Sequence, residues 1–334
     1  MKKVIFAVTM LGVSGIGFAG DMAKEYQKLI GKCDVVKEAR WVDFGSPAEY
    51  WAVSLGDNRE LARFNRDIQK NKGAEKEALE AELKLPHFYP EHNEYVVTGL
   101  QNYCDSLVAD MGLDKLGVNF TFNIVSAAQP NVFSAPTEDG FAVCVTEGLY
   151  CNPYMTDDIM KGYVAHEFAH GALRHELRYL YSEAKKKRSD RVLGAVVLGV
   201  TTAAVGTLEY VLDDNTPVVY TIPLFEDTPS AAAGSENVER ASKKVLEDLN
   251  SNLKNNTLLY SFNFTPEQIY EADLMAYRFL QNIGVADTYF DGLKILGARY
   301  DSQFATMPKH PSIAQRLKFL KYVEENPGYT RDDK

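Results

Sequence analysis

The sequence predicts a mostly helical α+β fold with a small sheet beside one chemistry-bearing helix. Three observations predict it. Apolar residues recur at helical spacing through most of the chain, as at Tyr95, Val96, Leu100, Tyr103 and Leu107. The period drops to two only between Gly117 and Thr146. Helical spacing then returns at Asp157 and carries His166, Glu167 and His170 on one stretch.

The first nineteen residues read as a secretory signal. Lys2 and Lys3 precede an apolar run from Val4 to Phe18, and Gly17 and Ala19 stand at −3 and −1 of a cleavage site before Gly20. The run is short and rich in Gly and Ser, whereas a membrane span needs ~20 strongly apolar residues. The expected location is therefore exported, periplasmic or secreted. Removing nineteen residues from 334 leaves 315, and losing Lys2 and Lys3 takes the formal charge from −10 to −12. So acidic a chain lacks the positive footprint that nucleic acid requires. Cys33, Cys104, Cys144 and Cys151 make an even set, which permits two disulfides in an oxidising compartment. Cys144–Cys151 is the attractive pair by proximity, leaving Cys33–Cys104; free buried thiols are the other reading.

Residues 20–90 read as a helical segment preceding the main domain, which spans 91–334. Within it, 57–85 is dense in Glu, Lys, Ala and Leu, which favours solvated helix interrupted at Lys72-Gly73. A helix is expected over 92–111. A half-buried strand follows, with Val118, Phe120, Phe122 and Ile124 on one face, and a second strand covers Gly140–Thr146. The segment between them, with Pro130 and Pro136, reads as a link. One helix should run from Asp157 to about Ser182, with Thr156 or Asp157 as N-cap. Val192–Leu208 reads as a buried small-residue helix rather than a membrane span, being only moderately apolar. Residues 213–237, rich in Pro, Asp, Ser and Ala, read as a long loop or lid. Further helices are expected near 237–252, 266–282, 287–300 and 311–325.

The chemistry sits in Val164-Ala165-His166-Glu167-Phe168-Ala169-His170. Residues four apart on a helix share a face, so two imidazoles can grip one metal ion. Glu167, offset by one position, then reaches the water that the metal activates. Zinc suits nitrogen and oxygen ligands and lowers the pKa of its water to about 7. One Zn2+ per chain is expected, with Glu167 as general base and acid. His175 lies nine residues beyond His166, not at metzincin spacing, and reads as structural or surface. A third ligand is needed. Glu267, Glu271 and His310 are the candidates.

Several ordered segments resemble one family, the gluzincin peptidases that include HtpX, BepA and the CAAX prenyl endopeptidases (metallopeptidase family forty-eight). They are Asn131-Val132-Phe133-Ser134-Ala135-Pro136, Phe141–Leu149, the Asp157–His175 helix, Ala272-Asp273-x-x-Ala276, and His310-Pro311-Ser312 followed by Arg316-Leu317. The resemblance covers roughly 90–325. It implies a zincin-like fold, His166 and His170 as zinc ligands, and Asp273 as a carboxylate orienting a ligand histidine. It also implies that the strand carrying Gly140, Phe141, Ala142 and Val143 takes an extended substrate as an added strand. Arg316 would help stabilise the oxyanion, and His310 could act as an inhibitory ligand. The chain departs from the family at one position: the family's ligand glutamate stands four residues before the aspartate, where this chain has Ile269. Glu271 is the expected substitute, through a local distortion next to Asp273, with Glu267 or His310 as alternatives. The resemblance implies an endopeptidase acting on peptide or unfolded protein in the cell envelope, with envelope or membrane-associated partners. Ile269 motivates the alternative, a decayed peptidase scaffold serving as a chaperone or binding protein.

Overall fold

The computed structural model describes residues 24–30, 45–83, 87–90, 95–128, 130–192, 207–211, 217–221, 264–304 and 311–326. Its helices are α1 (24–30), α2 (Pro47–Gly56), α3 (Arg59–Lys70), α4 (Lys72–Glu82), α5 (Gln101–Asp110), α6 (Glu147–Tyr150), α7 (Asp157–Ala172), α8 (His175–Val192), α9 (Pro266–Asn282), α10 (Asp287–Phe304) and α11 (Ile313–Glu325). The strands are β1 (Phe120–Val125), β2 (Val132–Pro136), β3 (Phe141–Thr146), β4 (Thr207–Val211) and β5 (Pro217–Thr221). The fold is mostly helical with one three-stranded sheet of order β1-β3-β2; β4 and β5 form a separate antiparallel pair.

Helix α7 is the centre of the molecule. Thr156 caps it by accepting from the Ile159 amide, and Asp157 and Asp158 complement the helix dipole in its first turn. Most of the helix from Ile159 to His170 is buried around its whole circumference. Such a helix must be enclosed on all sides. α9 and α10 cover it on one side and the sheet on another. Helices α1 and α2 belong to the same core, while α3 and α4 pack with α8 in a second cluster. Trp51 of α2, fully buried, sets its ring 5.0 Å from Phe168 of α7 and 5.1 Å from Phe279 of α9. The hydroxyl of its neighbour Tyr50 donates to the Met275 carbonyl at 2.8 Å.

Several expectations are corrected. The segment read as a link contains β2, which pairs antiparallel with β3 from Val132↔Val145 to Pro136↔Phe141. β3 also pairs in parallel with β1. The strand of Phe141, Ala142 and Val143 is therefore the central one, with both backbone edges used, and β1 and β2 are the outer strands. The helix expected from Asp157 to Ser182 breaks in two. Arg174, at φ 54°, is the one non-glycine residue in the left-handed region among the described residues, and it ends α7 and redirects the chain into α8. The interruption expected at Lys72-Gly73 falls at Asn71, which caps α4 through the Ala74 amide. Residues 217–221 of the expected loop form β5. Most of Val192–Leu208, the rest of 213–237 and the helix near 237–252 lie outside the described residues. Cys104, Cys144 and Cys151 are free, so Cys144 and Cys151 are not joined: Cys144 is buried in the sheet and Cys151 is exposed. Cys33 lies outside the described residues. No helix among the described residues is long and apolar enough to cross a membrane.

Two glycines are required by close approach. A Cβ at Gly140 would collide with the Asn119 carbonyl, where β1 and β3 begin side by side. A Cβ at Gly171, directly after His170, would overlap the Phe141 ring. Gly171→Ala should therefore destabilise the protein by about 1–3 kcal/mol through overpacking. Urea unfolding checks this; a midpoint equal to that of the wild type would show that the ring can step aside.

Candidate metal centre

On α7 the two expected imidazoles stand one turn apart with their Nε2 atoms 3.2 Å from each other. Two nitrogen ligands of one tetrahedral zinc, with bonds of ~2.0–2.1 Å, lie about 3.3 Å apart. The spacing thus fits two bonds to a single ion. Proton positions follow from the partners of the other ring nitrogens.

His166 Nδ1 lies 2.9 Å from Asp273 Oδ1. Asp273, fully buried on α9, also receives Arg316 Nε at 2.9 Å, Arg316 Nη2 at 2.6 Å and the Tyr289 hydroxyl at 2.8 Å. Burial opposes ionisation of Asp273, but Arg316 first and His166 next hold its carboxyl well below the usual carboxylate range. Arg316 is likewise held charged: burial opposes its charge and Asp273 more than compensates. An ionised Asp273 can only accept, so His166 Nδ1 carries the proton and its Nε2 carries a lone pair.

His170 is oriented by a second chain of contacts. Its Nδ1 lies 2.8 Å from His175 Nδ1, and His175 Nε2 lies 3.2 Å from Glu271 Oε2. Glu271 also receives Asn58 Nδ2 of the N-terminal helical segment at 3.0 Å and pairs with Arg178 at 3.0 Å. Burial would raise the Glu271 carboxyl, yet Arg178, His175 and Asn58 bring it down to about 2. Burial outweighs the raising influence of Glu271 and brings His175 down to about 4, so it is neutral at pH 7. The ionised Glu271 accepts from His175 Nε2–H. That leaves His175 Nδ1 as an acceptor, His170 Nδ1 as the donor and His170 Nε2 with a lone pair. Phe264 stacks on the His170 ring at 3.8 Å between centroids. The left-handed Arg174 makes this possible. On an unbroken helix His175 would sit five residues, or about 140°, around from His170.

Glu167 is buried, with Oε1 4.0 Å from His166 Nε2. Burial raises its carboxyl, opposed by His166, by Arg316 and by hydrogen bonds from the side chain and main chain of Ser134 on β2.

The structure therefore brings His166, Glu167, His170 and Asp273 together as expected. It does not bring Glu271 to the pair, because its two oxygens are engaged with Asn58, His175 and Arg178. Glu267 is exposed in the first turn of α9, while Ile269 is buried. Arg316 approaches His166 on the Nδ1 side, at 3.4 Å, and its strong bonds go to Asp273. It orients a ligand instead of facing the reacting side. His310 lies outside the described residues. Among the described residues no group of three or more His, Cys, Asp or Glu is gathered for a metal. Sequence reasoning missed Asn58, Ser134, Arg178 and Tyr289, which carry no spacing signal, and placed His175 outside the site.

The model of peptidase family M48 matches residues 97–324. The chain belongs to that family and is a metallopeptidase by membership. No curated protein and no solved structure matches it.

His175→Phe should weaken zinc binding about 10- to 100-fold, the usual effect of losing an outer-shell partner of a ligand histidine. Competition with a chromophoric chelator measures it; unchanged affinity would remove His175 from the site. Glu271 also links stability to pH. Its folded value is depressed from the ordinary 4.5 to about 2, so its contribution is present above 4.5 and lost as pH falls toward 2. Urea midpoints taken between pH 6 and pH 3 should fall less steeply in Glu271→Gln than in the wild type.

Proposed function

We propose that the chain is an exported zinc endopeptidase that cuts unfolded or unassembled proteins of the cell envelope. One observation carries the reading. The two Nε2 atoms face each other at 3.2 Å, and the hydrogen bonds on the opposite side of each ring leave both as lone pairs. Two buried lone pairs at that distance repel unless a cation lies between them. His166 and His170 would hold it. Zinc, when bound, supplies Lewis-acid polarisation of the scissile carbonyl and a more acidic water.

The chain's own residues do the rest. Glu167 takes a proton from the attacking water and passes it to the leaving nitrogen. Its burial raises the carboxyl toward the pH at which such transfers are efficient. Ser134 lies beside that carboxyl on the edge strand β2 and favours its charged form, so a substrate paired along β2 runs past Glu167. We assign the third ligand to His310, which precedes the helix whose Arg316 clamps Asp273. Export rests on the basic and apolar segment Met1–Ala19. A second reading, a binding protein on a decayed scaffold, draws on Ile269 and on the engagement of Glu271 elsewhere.

Casein cleavage by the zinc-loaded protein tests the choice. Glu167→Gln should lower the rate about 10²–10⁴-fold while zinc stays bound. His310→Ala should lower both zinc occupancy and rate. Wild-type cleavage that persists in Glu167→Gln would reject the peptidase mechanism, and absence of cleavage in zinc-loaded wild type would favour the binding protein.

A further inference from the structure

The ladder between β2 and β3 decides which backbone groups of β2 face outward. The Thr146 amide donates to the Asn131 carbonyl, and the Thr137 amide to the Gly140 carbonyl. Residues of an antiparallel ladder alternate between bonding the partner strand and turning away from it. Asn131, Phe133, Ala135 and Thr137 therefore bond β3, and Val132, Ser134 and Pro136 turn their backbone groups outward. This outward edge faces the chemistry, since Ser134 acts on the Glu167 carboxyl through both its side chain and its main chain. The other outer strand is partly covered. Val97 donates its amide to the Ile124 carbonyl, and Ser126 donates to the Tyr95 carbonyl.

The outward edge of β2 is closed at both ends. At its start the Val132 amide is taken by Asn131 Oδ1 at 2.9 Å. At its end Pro136 has no N–H to offer, and its carbonyl accepts the Phe88 amide at 2.8 Å. The Phe88 ring anchors this strap. It is fully buried in a cluster with Phe133, Ala135, Ala142 and Cys144, separate from the core around α7. His87 of the same strap lines one cavity with Ser134, Pro136 and His170, so the strap ends the edge within the cleft of the metal centre. Residues 87–90 lie outside the stretch 97–324 that the family model matches. Among the described residues two outward acceptors are left for an added strand, the carbonyls of Val132 and Ser134.

We propose that Phe88 is a specificity-determining residue: its strap takes the Pro136 carbonyl and limits a substrate strand to pairing at Val132 and Ser134. The proposal rests on the peptidase reading. A substrate so held is gripped over a short extended stretch beside Glu167, and beyond the strap its chain leaves the sheet. Unfolded protein supplies such short extended stretches at many points.

The test is a backbone N-methyl scan of a fluorescent casein fragment, which removes one peptide N–H at a time. Binding is measured on zinc-loaded Glu167→Gln, and cleavage on the zinc-loaded wild type. Methylation should weaken binding about three- to tenfold at two positions, two residues apart, and leave the others nearly unchanged. Adding Phe88→Pro removes the donor to Pro136, so a third sensitive position should appear two residues further along in the same register. If that variant does not fold, the scan on Glu167→Gln alone decides. A third sensitive position without Phe88→Pro, no sensitive pair, no binding of the fragment, or a folded Phe88→Pro variant that lacks the third position overturns the proposal. Cleavage by the wild type without a sensitive pair leaves the peptidase reading standing and removes the strap. A sensitive pair with no cleavage keeps the strap and removes the peptidase reading.

Discussion

Two imidazole nitrogens, held 3.2 Å apart in a buried site, set the terms for the rest of the molecule. Two rings turned toward one buried point keep that arrangement only if the fold holds each from its far side. It does so with two separate arms. One is short and strongly charged: His166 to Asp273, with Arg316 and Tyr289 locking the carboxylate. The other is longer: His170 to His175 to Glu271, ending on Asn58 and Arg178. Each arm ends in a carboxylate paired with an arginine, which limits the desolvation cost of burying the charge.

These arms explain why so many elements belong to one body. Asp273 and Glu271 come from α9, Arg316 from α11, Tyr289 from α10, His175 and Arg178 from α8. Asn58 sits at the N-cap of α3, so the N-terminal segment contributes to the site through a hydrogen bond 213 residues away in sequence. Aromatic packing of Trp51 against Phe168 and Phe279 holds that segment against α7 and α9. The sheet contributes from the other side: Ser134 of β2 favours the charged form of Glu167, and the Phe141 ring lies against Gly171 just beyond His170.

By itself the sequence determined the features that depend on local spacing. A cap, two first-turn acids and a pair of histidines four apart specify helix α7 and place both imidazoles on one face, because helical geometry repeats every ~3.6 residues. Alternation specified β1 and β3, and the order of short matching segments specified the family. The tertiary structure decided everything that depends on meetings between distant segments. β2 escaped notice because Pro136 and its neighbours lack alternation, and its pairing with β3 made the expected edge strand the central one. His175 entered the site because Arg174 adopts a left-handed conformation, which no residue pattern announces for arginine. Glu271 left the expected ligand position because Arg178 and Asn58 offered a buried carboxylate more compensation than an unbalanced place beside the imidazoles. That competition is settled by packing between helices, and a single sequence carries no period that records it.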